Sequence, residues 1–130
     1  RAFVEGNKFN IEQKNLYLMA VEQINHNSRL IKPGVSFIEF TEKSWKLPEE
    51  YFGNRYSVMV HGIGLCDEWP AIRYPTDGGE RNGFFEKNMT ITVESYIGKV
   101  GGKEGIKLEQ QYLVSENGLE LMSHHPLENL

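Results

Sequence analysis

The chain has 130 residues, of which 39% are hydrophobic, and a formal net charge of −4 at pH 7. This length allows one domain with a hydrophobic core and is too short for two ordinary domains. The acidic balance predicts no nucleic-acid partner, and no apolar run approaches the ~20 residues that span a bilayer. The single cysteine, Cys66, has no partner for an intrachain disulfide, so we expect a soluble, cytoplasmic protein.

The amino terminus, residues 1–6, has the pattern of a strand end that runs into a turn. A strand end without a partner strand indicates missing sequence. We therefore expect residues 1–130 to be the C-terminal portion of a larger catalytic domain whose upstream part is absent.

Capping residues and apolar periodicity predict three helices in the first half of the chain. Asn10 with Gln13 forms a capping box, and apolar residues then follow the helical period through roughly Leu30. A second S-x-x-E box begins at Ser36 and predicts a shorter helix that ends near residue 45. Pro48 begins a third helical turn, which stops near residue 53.

After residue 53 the apolar period becomes alternating, which predicts an antiparallel sheet. The predicted strands cover residues 56–61, 89–97 and 106–114, and a turn at 116–118 leads to a last strand near Leu121. The glycine-rich residues 98–105 join two of these strands as a hairpin. Residues 70–88 are expected to form a long binding loop or lid. The fold class is therefore α+β, with an antiparallel sheet covered by helices.

Three residues in the predicted strands form a candidate metal-ligand set: His61, Glu94 and Glu109. The hairpin would bring both glutamates to one side of adjacent strands, where a bound cation would explain their proximity. One imidazole and two carboxylates suit iron, manganese, cobalt or zinc, and they leave positions open for other ligands. The ordinary alternatives are solvated glutamates and a turn histidine, although the glycines that follow His61 predict a close approach to its strand end.

The ordered set His61-Gly62-Ile63-Gly64, residues 89–94, residues 105–111 and the Asn-Gly turn resembles the carboxyl-terminal half of the pita-bread metallohydrolases. This family includes methionine aminopeptidase, aminopeptidase P, prolidase and creatinase. The resemblance implies the pita-bread fold, a homodimer and two divalent metal ions per complete site. It implies that His61, Glu94 and Glu109 are metal ligands, and that two ligand aspartates lie upstream of residue 1.

One segment departs from the peptidases of this family, which carry a second histidine soon after the metal histidine. Residues 65–69 of this chain contain no histidine and place Asp67 there. In this respect the chain resembles the pita-bread branch that cleaves dimethylsulfoniopropionate. By that resemblance Asp67 is the proton-abstracting base and Tyr56 contacts the substrate. The alternative is that Asp67 only caps the turn at Trp69-Pro70.

The function implied by this resemblance is a metal-dependent lyase that forms dimethyl sulfide and acrylate from a small-molecule substrate. The aromatic faces of Tyr56, Trp69 and Trp45 are candidate contacts for the dimethylsulfonium group, although all three are also plausible core or rim residues. The alternative enzyme is an Xaa-Pro-type metallopeptidase or amidohydrolase of the same fold. A catalytically silent binding module is the third alternative.

Overall fold

The protein is described by a computed structural model that covers residues 2–6, 8–65 and 68–127. The helices are α1 (Ile11–Leu30), α2 (Phe37–Lys43) and α3 (Glu49–Phe52). The strands are β1 (Val58–Gly62), β2 (Ala71–Arg73), β3 (Thr90–Gly98), β4 (Gly105–Ser115) and β5 (Gly118–Leu121). They form one antiparallel sheet in the order β2-β1-β3-β4-β5, which confirms the α+β prediction and puts β3 at the centre.

Helix α1 begins with the predicted capping box, in which Asn10 accepts a hydrogen bond from the Gln13 amide. Its buried residues, including Ala20 and Ile24, pack against β3 and β4 and form the hydrophobic core with them. On the same face, the Ser95 hydroxyl of β3 donates a hydrogen bond of 2.6 Å to Gln23. The helix therefore covers the sheet face to which Ser95 and the other odd-numbered residues of β3 point. No helix in the described ranges is long and apolar enough to cross a membrane.

The long β3–β4 hairpin has the alternating pattern that the sequence predicts. Residues of even number on β4, such as Leu108 and Val114, are buried in the core. The register pairs Thr92 with Gln111 and Glu94 with Glu109. Because side chains alternate along a strand, these paired residues point to the face opposite α1.

Two segments differ from the predictions. The expected loop 70–88 contains strand β2 and a 3₁₀ turn at Pro75–Asp77. A three-residue strand bounded by prolines is too short to show a periodic pattern, and β2 exists because it pairs with the edge of β1. At the amino terminus the predicted turn is present at residues 5–6, whereas the described residues 2–4 belong to no strand, since none of the described strands pairs with them.

Gly62 allows the chain before β2 to lie directly against the end of β1. Its amide donates a hydrogen bond of 2.9 Å to the Pro70 carbonyl, and a Cβ atom on Gly62 would lie 1.9 Å from the Trp69 carbonyl oxygen. The close approach predicted from this glycine is therefore made by backbone of the same chain. This contact fixes the position of Trp69 beside the strand end that carries His61.

We predict that Gly62→Ala destabilises the fold by about 1–3 kcal/mol, because the new methyl group would overlap backbone that cannot move aside without breaking the β1–β2 pairing. Urea denaturation would measure the loss. Gly53→Ala is the matched control, since Gly53 has a helical conformation (φ −67°, ψ −21°) and meets only the exposed Val100 side chain. Equal stability of the two variants would contradict the prediction.

Candidate metal centre

The structure brings the three candidate ligands, His61, Glu94 and Glu109, together on the sheet face opposite α1. One ligand atom from each of them lies within 4.8 Å of the others. The register explains this grouping, because His61 pairs with Thr92 across β1 and β3, and Glu94 pairs with Glu109 across β3 and β4. Three neighbouring strands therefore each provide one ligand.

The imidazole of His61 is held at both nitrogens. Its Nδ1 lies 2.8 Å from the Gly62 carbonyl oxygen, which can only accept, so Nδ1 carries a hydrogen. Its Nε2 lies 2.8 Å from Glu94 Oε1. The hydrogen bond to Glu94 raises the pKa of His61 to about 9, against the opposing effect of burial. With no cation bound, the imidazole is therefore protonated at neutral pH.

Glu94 is only 2% exposed, whereas the sequence places it on a polar strand face. Burial opposes its ionisation, but hydrogen bonds from His61 and Lys107 outweigh burial and lower the pKa of Glu94. The Lys107 ammonium lies 2.6 Å from Glu94 Oε2. Burial lowers the pKa of Lys107, and its contact with Glu94 more than compensates and raises it. A buried carboxylate is thus paired with two cations, one from each neighbouring strand.

Lys107 also connects the cluster to Tyr56. Its ammonium lies 4.0 Å from the centre of the Tyr56 ring, within the range of a cation–π interaction. Tyr56 is 40% exposed, and the Lys107 side chain is 45% exposed. The cluster therefore has an accessible edge formed by an ammonium group over an aromatic face.

The two candidate tryptophans lie in different places. Trp69 is 56% exposed, and its own carbonyl group packs against Gly62, the residue after His61. Trp45 instead packs against the core and lines a cavity of about 180 Å³ with Phe52, Tyr74 and others. No metal-ligand candidate lines that cavity. The structure thus places the Trp69 backbone beside the strand end that carries His61 and leaves Trp45 elsewhere.

Asp67 and Cys66 lie outside the described residues, so the role of Asp67 remains a prediction from sequence. Sequence reasoning did not single out Lys107 or Thr92. Both lie two residues before a candidate ligand on the same strand, so the period of two places them on the face of the site. That periodicity was the available signal, but it does not predict which side chains pair.

The donors present fit a divalent cation. An imidazole and two carboxylates suit several such metals. The Nδ1–H bond from His61 to the Gly62 carbonyl orients the ring so that Nε2 faces Glu94, and ligand histidines are commonly held in this way. The two cations that surround Glu94 show that this carboxylate requires positive charge beside it.

We predict that His61→Ala, Glu94→Gln and Glu109→Gln each lower the affinity of the complete protein for a divalent metal by more than ~100-fold. The loss should be this large because even the outer groups that hydrogen-bond to metal ligands change metal affinity by about 10–100-fold. Competition with a chelator would measure the affinity. His26→Ala is the control, because the His26 ring bonds the Lys43 carbonyl at 2.9 Å and lies outside the cluster. A variant that keeps the parent affinity would remove its residue from the ligand set.

Comparison with known proteins identifies relatives of two kinds. The dimethylsulfoniopropionate lyase DddP of Roseovarius nubinhibens is 40% identical over 111 residues, which are 84% of this chain and 25% of the relative. DddP of Roseobacter denitrificans is 37% identical over 110 residues, or 83% of this chain and 25% of the relative. The X-Pro aminopeptidase structure from Thermotoga maritima has a TM-score of 0.72 and 25% identity, and the match covers 93% of this chain and 34% of that one.

This chain spans about a quarter of the length of the curated relatives it matches. The relatives confirm the pita-bread fold and the resemblance to both the lyase branch and the peptidases. Residues 1–116 match the family model described as metallopeptidase family M24. Because this match includes nearly all of the chain, the chain belongs to metallopeptidase family M24.

Proposed function

We propose that the complete protein is a metal-dependent carbon–sulfur lyase that cleaves dimethylsulfoniopropionate to dimethyl sulfide and acrylate. The observation that carries the proposal is the site geometry, in which His61, Glu94 and Glu109 converge beside the exposed ammonium of Lys107. The identity of 37–40% to two proteins named as dimethylsulfoniopropionate lyases supports this substrate.

His61, Glu94 and Glu109 would hold the metal ion. When bound, a divalent metal ion supplies a Lewis acid that stabilises the negative charge that develops on the substrate carboxylate. All three donors lie on paired strands, so their positions are fixed by the backbone ladder. The burial of Glu94 excludes water from this side of the site and strengthens its interactions with charge.

Lys107 determines which end of the substrate lies near Tyr56. One face of the Tyr56 ring already contacts the Lys107 ammonium. This positive charge attracts an anion and repels a second cation. We therefore place the substrate carboxylate at Lys107 and Tyr56. This differs from the sequence-based expectation that the Tyr56 face holds the dimethylsulfonium group.

Trp69 is the better candidate for contact with the dimethylsulfonium group. More than half of its surface is exposed, and the backbone contact at Gly62 holds it next to the strand end that carries His61. A cation over the face of tryptophan gains roughly 0.5–2 kcal/mol. Its indole Nε1 lies 3.4 Å from Glu80 Oε2, so a carboxylate lies beside the ring.

Asp67 would act as the base. It accepts the proton from the carbon next to the substrate carboxylate, and the electron pair of that C–H bond forms the C=C bond of acrylate. The C–S bond breaks, and its electron pair leaves with sulfur as dimethyl sulfide. An ionised carboxylate suits this step, whereas peptide hydrolysis needs a donor for the developing oxyanion, and residues 65–69 contain no histidine.

A metallopeptidase of the Xaa-Pro type is the second candidate. The family match and the similarity to an X-Pro aminopeptidase structure favour it. The ligand set suits both reactions, because a metal can polarise a peptide carbonyl as well as a carboxylate. Turnover of dimethylsulfoniopropionate and of an Xaa-Pro dipeptide by the complete protein separates the two candidates, and cleavage of the dipeptide alone would rule out the lyase.

For the lyase, we predict that Asp67→Asn lowers turnover of dimethylsulfoniopropionate by ~10²–10⁴-fold, which is the usual contribution of a positioned base. Acrylate release would be measured together with metal content and a thermal melt, both of which should match the parent protein. Glu86→Gln is the control, since it removes an exposed carboxylate outside the ligand cluster and should leave turnover nearly unchanged. Parent-like turnover by fully metallated Asp67→Asn would exclude this mechanism.

We also predict that Lys107→Met raises the KM for dimethylsulfoniopropionate by ~10–100-fold, because a hydrogen bond to a charged group contributes about 1.5–3 kcal/mol. Lys107→Arg, which keeps the positive charge, should recover most of the loss. Lys103→Met is the control, because Lys103 is exposed in the β3–β4 connection. A parent-like KM for Lys107→Met at full metal content would show that Lys107 does not bind the substrate.

A further inference from the structure

Thr92 carries a buried hydroxyl group on the sheet face that holds the ligand cluster. The residue is 1% exposed, and among the described residues its Oγ1 has no hydrogen-bond partner. It lies on β3 directly across from His61 and two positions before Glu94. Since side chains alternate along a strand, Thr92 points to the same face as these two ligands.

A buried hydroxyl without a partner is unfavourable, and the neighbouring threonine shows the usual arrangement. Thr90, also on β3, donates a hydrogen bond of 3.0 Å to the Ile63 carbonyl. Valine has nearly the same shape as threonine, suits a strand equally well and would avoid the cost of an unpaired hydroxyl. The hydroxyl of Thr92 is therefore explained best by a partner that the described residues do not include, and an oxygen ligand of the bound cation is such a partner.

We propose that Thr92 is a positioning residue of the metal centre, whose hydroxyl bonds an oxygen ligand that arrives with the divalent cation. Its register position, across from His61 and two residues before Glu94 on the same face, puts it beside ligands on both β1 and β3. Bonds of this kind orient the groups around a metal and raise its affinity. The inference rests on the metal centre of the proposed function and is independent of the substrate.

Two substitutions at Thr92 separate this role from a structural one. Thr92→Val removes the hydroxyl and keeps the shape, whereas Thr92→Ser keeps the hydroxyl and removes the methyl group. In the complete protein, titration with Mn²⁺ alone should show that affinity falls ~10–100-fold for Thr92→Val and stays near the parent value for Thr92→Ser. Thermal melts of the metal-free proteins should show the opposite order, with Thr92→Val at least as stable as the parent and Thr92→Ser less stable.

Thr90→Val is the matched control, because the Thr90 hydroxyl already has a partner in the metal-free chain. This variant should lose stability and keep its Mn²⁺ affinity. Parent-like Mn²⁺ affinity of Thr92→Val, or a loss of metal-free stability as large as that of Thr90→Val, would overturn the proposal. Failure to cleave dimethylsulfoniopropionate would refute the proposed lyase and leave this result standing.

Discussion

The burial of the Glu94 carboxylate in the central strand is the constraint on which the site depends. An ionised carboxylate that is almost fully removed from water is unfavourable unless cations and hydrogen bonds compensate for the lost solvation. Here His61 on β1 contacts one carboxylate oxygen and Lys107 on β4 contacts the other. The same three strands that hold the carboxylate therefore also provide the charges that make its burial possible.

The two faces of the sheet have different roles. One face packs against α1 and forms the hydrophobic core, with Ile91, Val93 and Leu108 fully buried. The other face carries the ligand candidates at alternating positions of the same strands. Because core residues lock the strand positions, the ligand atoms have little freedom to move, which is the condition for a precise metal site.

Much of this architecture follows from sequence patterns that are local. The capping box at Asn10 and the alternating residues of β3 and β4 predict the first helix and the hairpin within one or two residues. The hairpin in turn predicts that Glu94 and Glu109 are neighbours. These features depend on residues close in sequence, where hydrogen-bond chemistry and periodicity leave few alternatives.

The features that escaped prediction depend on contacts between distant segments. Strand β2 exists only because β1 offers it an edge, and Gly62 is required by the backbone of Trp69 rather than by a ligand. The pairing of Lys107 with Glu94 likewise requires the register of two strands and the burial of one partner. A residue pattern states which face a side chain occupies, but not which neighbour it contacts there.

The charges in the cluster would suit the carboxylate end of the proposed substrate. In the metal-free chain, protonated His61 and Lys107 balance Glu94 and Glu109. A divalent cation held by His61, Glu94 and Glu109 would require a neutral imidazole, and these residues together with Lys107 would then carry one excess positive charge. An excess positive charge in a site with a buried wall attracts a carboxylate more strongly than an uncharged peptide group. The ammonium of Lys107 lies at the accessible edge over Tyr56, so an approaching carboxylate would contact it first.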